Sequence, residues 1–215
     1  MRTEYVFDDG GMNLLSSGAL RAIRDALPAD ASLFVFRSGR ARLFAAGADM
    51  AEMQRFSPWD AWHFARLGQE LFDAIERLSC LTVAVIDGDC FGGALDLALS
   101  FDFRFATPRS RFAHPGARLG IVTGFGGTSR WRSVLSRRAA NQLFLANRVL
   151  SSAEALDFGL VDRVADSHDD ELARLEKTDL RMVKQLTTHA PRLTRYETIR
   201  LAQRLCAAGT RMSGV

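Results

Sequence analysis

Two runs without a charged residue, residues 32–36 (S-L-F-V-F) and 81–86 (L-T-V-A-V-I), flank a long helix-patterned stretch, and this order constrains the fold more than any other feature. Short apolar runs rich in β-branched and aromatic residues read as buried strands. Between them, residues 58–78 place Phe64, Leu67, Leu71, Ile75 and Leu78 three or four positions apart, opposite Arg66, Glu70, Asp73 and Arg77, with Pro58 suited to a first helical turn. Residues 14–27 show the same spacing at Leu20, Ile23 and Leu27. Residues 92–100, 137–145 and 152–158 also read as helices, the last opened by Ser151 or Ser152 with Glu154 near its start, while residues 101–106 and a piece near Phe112 are extended. Strands joined through helices need crossover connections, so an α/β chain with a mainly parallel sheet covered by helices is expected. Trp59 and Trp62 fall off the apolar stripe and are expected to pack against another element.

An apolar fraction of 47% in 215 residues, with no linker, is enough for one domain with a sizeable core. A net charge of +3, from 28 basic and 25 acidic side chains, makes no case for a nucleic-acid partner. Cys80, Cys90 and Cys206 are odd in number and widely spaced, so neither a disulfide framework nor a metal site is expected. No apolar run is long enough to cross a bilayer, and the first residues are charged, so no membrane association and a cytoplasmic location are expected.

Two glycine segments carry the chemistry: F-A-A-G-A-D at residues 44–49 and F-G-G-A-L-D at residues 91–96, each where a strand gives way to a helix. Small residues at Ala48 and Gly93 let a ligand approach the main chain, and a helix N-terminus adds unpaired N–H groups and a favourable dipole. Two such segments aimed at one oxygen form an oxyanion hole. The plain alternative for either alone is a steric turn, which is also the reading of Gly124-Phe125-Gly126-Gly127 before its helix.

The order F-A-A-G-A-D-M-A-E-M (44–53), A-V-I-D-G-D-C-F-G-G-A-L-D-L-A-L-S-F-D (84–102), F-A-H-P-G-A-R-L-G-I-V-T-G-F-G-G-T-S-R (112–130) and S-S-A-E-A-L-D-F-G-L-V-D-R-V (151–164) resembles the crotonase, or enoyl-CoA hydratase/isomerase, superfamily. The resemblance implies a spiral of ββα repeats over residues 1–165, a short helical C-terminal region over residues 166–215, assembly as a homotrimer or hexamer, and acyl-CoA or pantetheine-bound acyl substrates with no cofactor beyond coenzyme A as part of the substrate. It maps the two oxyanion donors onto Ala48 and Gly93, and coenzyme contacts onto Ala46, Gly47, Asp49, Gly92 and Gly116. Where the hydratases carry two glutamates, this chain has Asp96 and Gly116. Its stretch after Val164 is shorter than the family's usual ending, so the helices that close the site are expected to be curtailed or differently placed.

Asp96 is then the candidate general acid/base, helped by His114 or by a bound water or anion near Gly116. The structural alternatives are a first-turn helix acid for Asp96 and an ordinary half-buried strand histidine for His114. His63 reads as a helix-surface or packing histidine, and His168 and His189 fall in the polar C-terminal part. The expected activity is isomerisation, decarboxylation or atypical hydration through a thioester enolate. A non-catalytic acyl-CoA-binding or accessory subunit is the alternative.

Overall fold

The computed structural model describes residues 1–178, 180–189 and 194–212; residues 179, 190–193 and 213–215 of the expected C-terminal region lie outside the described residues. Strands β1 (Arg2–Phe7), β3 (Leu33–Ser38), β6 (Leu81–Ile86), β8 (Phe103–Ala106) and β11 (Arg163–Val164) form a five-stranded sheet in the order β1-β3-β6-β8-β11, with every pair parallel. A second sheet runs β10-β9-β7-β4 through Leu150–Ser151, Arg111–Ala113, Asp89–Phe91 and Leu43–Ala45, and only β9 with β10 is antiparallel. Strands β2 (Leu14–Leu15) and β5 (Gly47–Ala48) make a short parallel pair of their own.

The chain visits the large sheet, then the small one, then a helix, and repeats. β3 and β4 lead to α2 (Met50–Met53) and α3 (Pro58–Glu76), and β6 and β7 lead to α4 (Gly93–Ala98). β8 and β9 lead through a 3-10 turn, Pro115–Leu119, to α5 (Gly127–Val134). The ββα spiral expected of the sequence is therefore the observed architecture.

Phe64, Leu71 and Ile75 of α3 are buried on the expected stripe, and Ser57 caps the helix through a reciprocal box with Asp60. Full burial of each such side chain contributes about 1.5–3 kcal/mol. Trp59 and Trp62 depart from expectation: they stack on each other at 5.2 Å and remain exposed, with the His63 ring edge-on to both. Helix α1 (Ser17–Asp25) starts later than the spacing of residues 14–27 implies, because Leu14 and Leu15 pair with β5 first. Expected as one helix, residues 137–145 form α6 (Arg137–Ala140) and then a π turn, Asn141–Leu145.

After α7 (Ser152–Asp157), opened by Ser151 with Glu154 in a capping box, the C-terminal part folds onto the outer face of the large sheet. Helix α8 (Asp169–Glu176) buries Leu172 and Leu175 against Leu33, Val35, Leu81, Val83 and Phe105. From α9 (Arg181–His189), the buried Lys184 ammonium donates to Cys80 O and pairs with Asp102, each at 2.8 Å. The last helix is α10 (Arg195–Met212). No helix among the described residues is long and apolar enough to cross a membrane.

Candidate active site

The two glycine segments meet through their backbones. Gly47 has φ +104°, and a β-carbon there would stand 2.8 Å from Phe91 O and 3.2 Å from Gly93 N; one on Gly93 would stand 3.4 Å from Ala48 N. Only a chain without side-chain bulk at residue 47 allows this approach. Neighbouring amides are already used: Ala46 N donates to Met12 O, Asp49 N to Leu15 O and Gly92 N to Ala113 O. Successive N–H groups of a strand point to opposite sides, so the bond from Asp49 to β2 turns the Ala48 N–H away from that strand. Gly93 is the first residue of α4, where the N–H has no carbonyl within the helix and the dipole is positive.

Both residues line a cavity of about 300 Å³. Ala46, Gly47, Gly92, His114 and Gly116 line it too, together with apolar side chains from α2 and α3 and from the loop that ends in Phe125. No lining residue is Asp, Glu, Lys or Arg, and His114 is the one histidine among them. Asp49 lies outside the lining and caps α2, accepting from Ala51 N and Glu52 N. A groove of about 340 Å³ lies between α1 and α3, with Arg21, Asp60, Arg66 and Glu70 in its walls and neither glycine segment.

Asp96 is not at the cavity wall. It is fully buried, with Oδ2 accepting from the Thr123 hydroxyl, and Thr123 is what the cavity sees. Its Oδ1 has no hydrogen-bond partner and abuts Gly127 at the N-terminus of α5, where a β-carbon would come within 1.7 Å. Facing that oxygen at 3.5 Å is His114 Nε2, also buried and without a hydrogen bond. The His114 ring packs on Phe144 with centroids 4.9 Å apart, and its Cε1 and Nδ1 lie 3.5 Å from where a Gly116 β-carbon would be. Nothing in the sequence marked Thr123, because the contact that gives it a role spans 27 residues. Cys90, behind the site, has a thiol pushed well up by burial, with Asp96 and Asp89 adding to the effect, so it is no thiolate nucleophile.

Among the described residues no group of three or more His, Cys, Asp or Glu side chains is placed to hold a metal ion. A backbone donor pair, an apolar cavity and one imidazole can bind a carbonyl compound, stabilise negative charge on its oxygen and move a proton beside it.

Comparison with known proteins points the same way. The family described as Enoyl-CoA hydratase/isomerase matches residues 20–210. A crotonyl-CoA hydratase of Syntrophomonas wolfei is 36% identical over 171 residues, which are 77% of this chain and 65% of that protein. A short-chain-enoyl-CoA hydratase of Clostridium acetobutylicum is 33% identical over 69% of this chain and 55% of its own length. The chain thus spans less than two thirds of either relative. The crystal structure of an enoyl-CoA hydratase from Bacillus anthracis shares the fold at a TM-score of 0.89, with 20% identity over 96% of this chain and 86% of that one.

Proposed function

Because the chain belongs to the enoyl-CoA hydratase/isomerase family, we propose that its cavity binds an acyl thioester of coenzyme A or of another pantetheine carrier, with the thioester oxygen between the N–H groups of Ala48 and Gly93. The observation that carries this reading is the backbone approach of those two residues at the wall of an apolar cavity. Hydrogen bonds to that oxygen strengthen as it gains enolate charge, which lowers the barrier to breaking the adjacent C–H bond. The reaction is proton transfer next to the thioester, with double-bond isomerisation first. Two features disfavour hydration: Gly116 offers no side chain, and Asp96 is sealed behind Thr123. The acyl group is an uncharged hydrocarbon, since a carboxylate among these walls would lose its hydration without gaining a partner. The assembly is a homotrimer or a doubled trimer, and the compartment is cytoplasmic.

A panel of CoA thioesters tests this. Uncharged 2- and 3-enoyl-CoA should bind and isomerise, hydration of crotonyl-CoA should be slower, and thioesters with a terminal carboxylate should react at least ~10²-fold less well. Gly47→Ala, which separates the two segments, should abolish turnover. Turnover unchanged in that variant would overturn the oxyanion assignment. Tight binding with no turnover of any thioester would instead favour an accessory acyl-CoA-binding subunit.

A further inference from the structure

Resting on the thioester reading of this cavity, we propose that His114 carries the migrating proton on Nδ1 and that Asp96 is a positioning residue acting through Nε2. The two atoms that face each other, His114 Nε2 and Asp96 Oδ1, are 3.5 Å apart, both buried and both without a hydrogen bond. Catalytic hydrogen bonds commonly shorten from such a separation when substrate binds. A carboxylate only accepts, so contact with Oδ1 selects the imidazole tautomer protonated at Nε2 and leaves a lone pair on Nδ1.

Nδ1 lies on the ring edge beside Gly116, one of the cavity walls, in the space that a side chain at residue 116 would otherwise share. Phe144 lies against the ring and fixes its tilt. The carboxylate is held in turn, with Oδ2 bonded by Thr123 and Oδ1 set at the positive end of α5. Each restraint on Asp96 limits how the imidazole can turn.

The step balances without a co-reactant. Nδ1 takes a proton from a carbon activated by the thioester; the C–H electron pair moves through the chain of carbons to the oxygen held by Ala48 and Gly93. The imidazolium formed stands against the Asp96 carboxylate. Return of the proton to the other end of the enolate system restores the carbonyl and shifts the double bond, so the substrate is neither oxidised nor hydrated.

The test is isomerisation of a 3-enoyl-CoA thioester to the 2-enoyl-CoA, read beside its binding. Wild-type protein should bind and isomerise. His114→Ala should bind within about 2-fold of wild type yet isomerise at least ~10²-fold more slowly, and added imidazole should restore part of the rate. Asp96→Asn should lower kcat with little change in KM, and 15N spectra of labelled histidine should show His114 losing its Nε2–H tautomer. Thr123→Val should move the same signals in the same direction and serves if Asp96→Asn does not fold. Isomerisation that persists in His114→Ala would give the proton to another group, and an unchanged tautomer in both other variants would remove Asp96 from the mechanism. A wild-type protein that binds the thioester without isomerising it would overturn this proposal alone. One that binds none would overturn the cavity's assignment as well.

Discussion

The imidazole of His168 sits buried at the head of α8, where Nε2 donates to Ala106 O at 3.0 Å and Nδ1 has no partner. Burial holds its pKa below the usual histidine value; the bond to Ala106 and the charge of Asp169 oppose this, while Arg163 and Arg37 reinforce it. The unfolded chain, with a pKa of about 6.5, therefore takes up this proton before the folded one does. The contribution of His168 is intact above that pH and is lost as pH falls from there through the folded pKa. Denaturant unfolding at about pH 7.5 and about pH 5.5 should show a larger loss of stability in wild type than in His168→Gln. Equal losses would count against the assignment. At the same scale, the sequence marked the amides of Ala48 and Gly93 and the residues His114 and Gly116 because they lie within short local motifs. It placed Asp96 in the first turn of α4 but not behind Thr123, a contact decided by how a distant loop folds over the helix.

Helix α3 and the Phe125 loop depend on each other. The Phe125 ring fills the notch at Gly68, where a β-carbon would stand 2.2 Å from it, and it packs edge-on against Phe64 and Phe72. Arg130 of α5 ties the same loop down, donating to Phe125 O at 3.0 Å and pairing with Glu76 and Asp73 of α3. Gly68→Ala should cost about 1–3 kcal/mol by overpacking, despite the better helix propensity of alanine, and should impair the cavity that Phe125 lines. A variant with unchanged Tm and thioester affinity would show that the ring can shift freely. Elements with a strong internal pattern were legible: β6 covers the whole of the run 81–86, and α3 its apolar stripe. The edge strand β1 was not, because its exposed Arg2 and Glu4 read as charge rather than as the outer half of a strand. The π turn after α6 carries no local signal in N-Q-L-F-L that sets it apart from a helix.

At the scale of the whole molecule, the alternation of buried runs with helices foretold the parallel sheet, whereas the division of strands between two sheets follows from long-range pairing. Trp59, Trp62, Leu145, Val149 and Leu156 are exposed on one chain, and the proposed trimer or hexamer is tested directly. Light scattering at working concentrations should give three or six chains, and a stable monomer would overturn that proposal. The meeting of Gly47 with Gly93 has a consequence over a longer time. Donors supplied by the main chain carry no side-chain identity, so most substitutions leave them where they are, and drift acts instead on the walls around them. A lineage built on such a cradle can exchange a carboxylate for an imidazole, or a polar wall for an apolar one, and so acquire a new reaction without rebuilding the part that holds the oxygen.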